Sequence, residues 1–217
     1  MMKSITPLII TLTAVCIGAA FALSMVNFLT ADRIARQEWE ATMKAIRSVL
    51  PPIDNDPVQD TKTISLGTDA KGNPDSLKVY IGKKEGQVTG VAITRAGEGY
   101  GGFIHVITGI DTEAKISGIF ILPGHFETPG LGANIEKPSY TETFKGKSLE
   151  NSKLVNGNLT VDKDGGDVVS ISGATISPRG VAKAVSEALH LFLQYRDELI
   201  GGPIVPGTET VSDEEAS

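Results

Sequence analysis

Apolar residues follow three different rhythms along this chain. Residues 4–31 contain no charge, and Ile5 to Leu29 is predominantly apolar, with Ile, Leu, Val, Ala and Phe throughout. At about 1.5 Å per residue such a run is long enough to cross a hydrocarbon core of roughly 30 Å, so it predicts a transmembrane helix. Behind it Ile34, Trp39, Met43, Ile46 and Leu50 recur at roughly helical spacing until Pro51-Pro52 forbids continuation. Residues 53–75 carry Pro, Gly, Asp and Asn and read as loop with one short strand. Strand-like runs then follow at Leu77–Ile81, Gln87–Thr94, Phe103–Thr108 and Lys115–Leu122, separated by glycines and Asp111. The expected arrangement is a mostly antiparallel meander.

A further short strand is expected at Val168–Ile171, after the Gly/Asp-rich turn 162–167. Over 178–199 the residues Val181, Val185, Ala188, Phe192 and Tyr195 fall at intervals of three and four, which makes one apolar face of an amphipathic helix. Ser177 can cap it, Pro178 suits its first position and Gly201-Gly202-Pro203 ends it. The pattern therefore gives an α+β chain in three parts. Residues 1–31 form an N-terminal anchor, 32–200 a mostly antiparallel sheet domain with flanking helices, and 201–217 a tail expected to be disordered, with four acids and no base.

Composition sharpens this picture. Of 20 basic and 26 acidic residues, only Lys3 precedes Asp32, so the charge belongs to the main domain. The net charge of −6 and the lack of any basic block argue against nucleic acid as a partner. One cysteine excludes an intrachain disulfide framework, and the three histidines are scattered singly, so no metal-ligand cluster is expected. Ala20-Phe21-Ala22 resembles a signal cleavage site, but the apolar run continues past it through Leu29, which favours a retained anchor. Cys16 within the run reads as a small apolar residue. Counting Arg33, Arg36, Lys44 and Arg47 against Lys3, the positive-inside rule puts the main domain in the cytoplasm.

Three segments have candidate chemistry. In Ser172-Gly173-Ala174-Thr175, at a handover from strand to helix, small residues leave the backbone open, two hydroxyls flank them, and the helix start supplies free N–H groups and positive potential. Such a junction attracts phosphate. From spacing alone the plainer reading is a small-residue turn in which Ser and Thr cap a helix. His125-Phe126-Glu127-Thr128-Pro129-Gly130-Leu131-Gly132 is a stiff loop offering N–H groups, a carboxylate and a hydroxyl; its plainer reading is an ordinary turn with a solvated histidine. Gly99-Tyr100-Gly101-Gly102 is most simply a hairpin turn. A serine hydrolase is disfavoured, because the nucleophile elbow needs glycines where Ser170 and Ala174 stand.

Taken in order, Gly99-Tyr100-Gly101-Gly102, Thr108-Gly109-Ile110-Asp111, Glu127 to Gly132, Phe144-Lys145-Gly146-Lys147 and Ser172 to Pro178, behind one membrane helix, resemble the G subunit of Rnf-type ion-translocating electron-transport complexes. The C subunit of the sodium-pumping NADH:quinone oxidoreductase shares the same FMN-binding domain. The resemblance covers roughly residues 5–200. It implies covalent FMN joined through its phosphate to the Thr175 hydroxyl, with Ser172, Gly173 and Ala174 forming the attachment turn. The loop bearing Glu127, Thr128, Leu131 and Gly132 is then the rest for the flavin ring.

The resemblance further implies a flavin transferase for maturation, other Rnf-type subunits and the lipid bilayer as partners, and no catalysis by the chain alone. It also implies an inner-membrane, single-pass location with the main domain on the extracytoplasmic side, against the charge count, and electron relay between ferredoxin and NAD coupled to ion translocation. One departure is Val169, where the family has an acid three positions before the serine; Asp167 lies two residues earlier. Alternatives are the C subunit of the quinone reductase or a free-standing flavinylated domain and, from another class, a non-catalytic extracytoplasmic binding or scaffold module.

Overall fold

The structure, a computed structural model, describes residues 6–68 and 74–201; the acidic tail from residue 202 lies outside the described residues. It divides into two compact units, Met1–Lys44 and Ala45–Ser217. Helix α1 runs unbroken through Thr6–Val49, because its one proline, Pro7, lies in the first turn and no glycine pair interrupts it before Pro51. Within it Pro7–Ala31 is apolar and exposed, and its 25 residues reach about 37 Å, more than a hydrocarbon core requires. Of the helically spaced residues behind it, Ile34 and Trp39 are exposed, whereas Ile46 and Leu50 are buried in the core of the second unit.

That unit is built on five strands: β1 Thr61–Thr68, β2 Pro74–Lys84, β3 Gln87–Glu98, β4 Phe103–Asp111 and β5 Ile116–Ile121. They form a meander in the order β1-β2-β3-β4-β5, antiparallel throughout, so short turns suffice to join neighbours. The four strands expected between Leu77 and Leu122 are present: β2 extends beyond both expected ends, β3 and β4 run on past their expected C-terminal ends, and β5 is one residue shorter at each end. Period-two alternation aims Leu77, Val79, Ile81, Val91, Ile93, Ile104, Val106 and Ile119 into one core.

Helix α3, Ile176–Gln194, covers that face with Val181, Val185, Ala188 and Phe192, all fully buried. Burying four such side chains contributes on the order of 1–3 kcal/mol for each of the larger ones, before entropy is charged against it. The helix comes very close to β3. A Cβ on Gly97 would lie 1.8 Å from the Gly180 carbonyl oxygen, so only two glycines allow this approach.

Glycines also shape the opposite face of the sheet. Gly82 pairs with Gly90, and Gly109 with Gly118, across neighbouring strands. A Cβ at Gly109 would sit 2.0 Å from the Val49 carbonyl oxygen, and one at Gly90 would meet Pro51 at 2.8 Å. The trough so formed receives the chain as it leaves α1, and Ser117 Oγ donates to the Val49 carbonyl at 2.5 Å. Both faces of β3 and β4 are thus covered over their middles, which explains the consecutive buried positions Gly90–Ile93 in β3 and Val106–Ile110 in β4.

Short elements fill the connection from β5 to α3. After a 3₁₀ turn at Gly132–Glu136 come α2, Pro138–Thr141, a second 3₁₀ turn at Glu142–Phe144, a two-residue hairpin of β6 Leu154–Val155 with β7 Asn158–Leu159, and a third 3₁₀ turn at Asp162–Asp164. The strand expected at Val168–Ile171 does not form. Only Val168 pairs, in an isolated parallel bridge with Val161, because Gly173 at φ 77° turns the chain into α3 before a ladder can develop.

The last helix also differs in detail from expectation. It begins at Ile176, Thr175 occupies the cap position, and Ser177 lies inside the first turn. Pro178 is third rather than first, which the helix tolerates because first-turn N–H groups have no partner within it. At its far end Tyr195 separates α3 from a short α4, Arg196–Ile200, closed by Gly201 in the left-handed region.

Candidate flavin site

Three connections converge on one end of the sheet: the β3–β4 turn, the loop after β5 and the start of α3. Between them lies a cavity of about 340 Å³. Tyr100 lines it from the first connection, Glu127, Thr128, Leu131 and Gly132 from the second, and Gly173, Ala174, Thr175, Ile176 and Ser177 from the third. Seven of the eight expected site residues therefore meet in one place, although Glu127 and Thr175 are 48 positions apart in the chain. Ser172 is exposed and lies just outside the lining.

Glu127 ties the three connections together. Its side chain is buried; Oε1 accepts from the Gly101 N–H at 3.1 Å and Oε2 accepts from the Ser177 hydroxyl. Gly99 and Gly132 leave room for it, since a Cβ on either would fall 2.3 or 2.2 Å from a carboxyl oxygen. The glycines of Gly99-Tyr100-Gly101-Gly102 thus do more than turn a hairpin, although they do that too, with the Gly99 N–H bonded to the Gly102 carbonyl at 2.8 Å.

The loop beyond Glu127 is braced on itself. The Leu131 and Ala133 N–H groups both donate to the Thr128 carbonyl at 3.1 Å, and Asn134 Nδ2 donates to the Gly130 carbonyl at 2.8 Å. Gly130 sits at φ 78°, a conformation that a side chain would strain. The histidine of this segment is not solvated. The His125 side chain is 6% exposed, with Nε2 2.5 Å from Glu136 Oε1 and Nδ1 accepting from the Glu127 N–H at 3.4 Å. That pattern assigns the ring proton to Nε2, and it fastens the two ends of the loop to each other.

Thr175 is placed for a bond outside its own helix. Its hydroxyl makes no capping hydrogen bond, and its oxygen lies 3.3 Å from Lys163 Nζ. It stands at the positive end of a 19-residue helix, next to Gly173 and Ala174, whose small side chains leave the backbone accessible. An uncommitted hydroxyl, a cation and a helix start within one open cavity suit a phosphate group, and the half-exposed Leu131 offers an apolar wall for a flat ring. Asp167, a candidate for the missing acid, is instead paired with Lys147 at 2.8 Å and is absent from the lining, while Val169 is exposed. Ser177 and Lys163 were not among the residues expected here.

Residues 99–190 match the FMN-binding domain family. The G subunit of an ion-translocating oxidoreductase complex from Aliivibrio fischeri is 35% identical over 186 residues, covering 83% of this chain and 87% of its own. The protein of the same description from Vibrio vulnificus is 32% identical over 198 residues, covering 90% of this chain and 92% of its own. The chain belongs to the family of G subunits of ion-translocating oxidoreductase complexes. Family membership agrees with the resemblance read from the sequence, and the FMN-binding match spans every connection that lines the cavity. The fold is shared more widely: the crystal structure of Shewanella oneidensis NqrC superimposes with a TM-score of 0.57 at 19% identity, over 76% of this chain and 98% of that one. The C subunit of the Na(+)-translocating NADH-quinone reductase from Parabacteroides distasonis gives 0.54 at 20% identity, over 77% and 96%.

Proposed function

We propose that this chain is the FMN-carrying electron-transfer subunit of an ion-translocating oxidoreductase complex, anchored to the membrane by Pro7–Ala31, with FMN held covalently at Thr175. The observation that carries the reading is the meeting of the Thr175 hydroxyl, free of any cap bond, with the Glu127–Gly132 loop in one cavity inside the FMN-binding match. FMN supplies reversible electron acceptance and release in this site. The chain supplies the place. Thr175 Oγ1 would hold the phosphate, the Ile176 and Ser177 N–H groups at the helix start would be available to its charge, and Gly173 and Ala174 would leave it room to approach.

Esterifying a free phosphate in water is uphill, so the donor is a flavin phosphoanhydride presented by a separate flavin transferase. In that transfer the Oγ1–P bond would form as the P–O bond of the anhydride breaks, the other phosphate half would leave, and the hydroxyl proton would pass to solvent. Ser172 shapes the turn without being bonded. Leu131 and the Glu127–Gly132 backbone orient the ring, with N–H groups fixed in advance so that little ordering is required. The main domain lies on the extracytoplasmic side of a single membrane span, where a covalent tether retains a cofactor that the cytoplasmic pool cannot replace. Its partners are the other subunits of the complex, which carries electrons between ferredoxin and NAD.

Peptide mass spectrometry on full-length protein coexpressed with a flavin transferase tests the attachment. The fragment containing Thr175 gains an FMN mass, Thr175→Ala folds but gains none, and Ser172→Ala retains it in reduced yield. Labelling at another residue would refute the assignment. If the wild type stays unlabelled while Val169→Asp is labelled, the transferase site is weak; if both stay unlabelled, the domain has no covalent flavin. Protease added to right-side-out spheroplasts removes the main domain if the proposed side is correct, and intact mass of the membrane-extracted protein shows residues 5–29 retained.

A further inference from the structure

The turn before the attachment segment reads Asp162-Lys163-Asp164, and its two acids are committed elsewhere. Asp162 Oδ1 accepts from the Lys163 backbone N–H at 2.7 Å, and the Ser170 side chain and backbone N–H help hold its carboxyl below the usual carboxylate range. Asp164 holds Arg179 through two bonds, Nε to Oδ2 at 2.6 Å and Nη2 to Oδ1 at 2.7 Å. Arg179 is one turn into α3 from Thr175, to whose carbonyl its N–H donates at 3.2 Å. Lys163, between the two acids, has no ion pair among the described residues. Its ammonium instead lies 3.3 Å from the neutral Thr175 oxygen.

The position of that ammonium is set by backbone as well as by side chains. The Asp162 N–H bonds the Val168 carbonyl at 2.8 Å, and the Val168 N–H bonds the Thr160 carbonyl at 3.0 Å. Gly166 lies so close to Thr160 that a Cβ there would fall 1.9 Å from its carbonyl oxygen. The turn is therefore fastened at its base and, through Asp164 and Arg179, to the first turn of α3. An ammonium has three donors, and one neutral hydroxyl leaves the others unused by protein.

We propose that Lys163 is the counter-cation of the phosphate at Thr175: it draws the incoming phosphate to the hydroxyl and afterwards neutralises the charge that the ester keeps. This rests on the reading of Thr175 given above. Arg179 balances Asp164 through its two bonds, whereas Asp162 keeps its charge beside Lys163 and offsets part of the ammonium's field; the helix start and the unused Lys163 donors are what remain to meet an anion at Thr175.

The test compares full-length wild type, Lys163→Gln and Lys163→Arg in detergent, each incubated with a flavin transferase and its flavin donor. The readout is the fraction of the Thr175 peptide carrying FMN against time. Loss of the charge slows attachment roughly fivefold, the scale of a partly exposed ion pair, and Arg restores most of the rate. Raising salt narrows the gap. In fully loaded protein the ³¹P resonance moves in Lys163→Gln while the visible flavin spectrum does not. Equal rates with an unmoved resonance overturn the proposal, and so does Lys163→Arg behaving like Lys163→Gln, which would mark a role in shape and not in charge. Wild type unlabelled at Thr175 is a different failure, that of the functional reading itself.

Discussion

Ser177, in the first turn of α3, donates its hydroxyl to Glu127 Oε2 across 50 residues of sequence. This bond and the one from the Gly101 N–H hold the three connections of the cavity in register. Ser177→Ala leaves a buried carboxyl oxygen without its donor, and we expect a loss of about 1–3 kcal/mol in urea unfolding. Hydrogen exchange at residues 99–102 should rise in the same variant, because Gly101 depends on a carboxyl that is no longer fixed. Unchanged exchange there would show that the turn holds itself.

Glu127→Gln keeps one acceptor and is milder in stability, so it isolates the electrical role of the group. If the loop supports the flavin ring, this variant and Gly130→Val shift the flavin potential or visible spectrum while the FMN mass on the Thr175 peptide persists. Redox titrations that match wild type in both variants would reduce the loop to a turn.

Gly180→Ala tests the close packing of α3 on β3. The added methyl would lie 2.5 Å from the Glu98 carbonyl oxygen, a backbone atom that cannot swing aside. The helix must lift, at a cost on the order of 1–3 kcal/mol, and Thr175 and Ser177 move with it. A melting temperature equal to wild type would mean that the two elements separate freely.

Tyr140 carries a buried hydroxyl with no hydrogen-bond partner among the described residues, its ring edge-on to Phe144 with centroids 5.5 Å apart. Tyr140→Phe removes the unpaired group while keeping the ring contact, so stability should hold or rise by up to about 1 kcal/mol. Burial pushes the phenol's pKa well above its ordinary value. The stability linked to it is complete below the unfolded value of about 10 and is lost as pH rises beyond that. Absorbance at alkaline pH should therefore show one tyrosine that ionises only with unfolding, and Tyr140→Phe should abolish that phase.

Asp164 behaves in the opposite sense. The hydrogen bond from Arg179 holds its carboxyl below the usual carboxylate range, so its contribution is present above the unfolded value of about 3.9 and fades as pH falls through the lower folded one. Because the pair is exposed, acid should loosen the 161–168 turn locally before the domain unfolds. Hydrogen exchange confined to that turn is the expected signature, and Asp164→Asn should show it already at neutral pH.

The sequence by itself determined the elements whose cause is local. A charge-free run of membrane length makes the apolar part of α1, period two makes β2 to β5, and spacings of three and four give the buried face of α3, because each pattern alone decides which side chains leave water. It also assembled the list of site residues, since their types and order match a family. The missing strand at Val168–Ile171 and the shifted start of α3 were decided by tertiary structure: a strand requires a partner across a ladder, and a cap requires a hydroxyl with nothing better to bond. Ser177 has something better in Glu127. For the same reason Lys163 and the glycines at 97 and 180 carried no local signal. Their roles exist only because the meander and α3 bring Thr175, Glu127 and the Asp162–Asp164 turn to one end of the sheet, and proximity across 48 residues of chain is a property of packing, which no local spacing encodes.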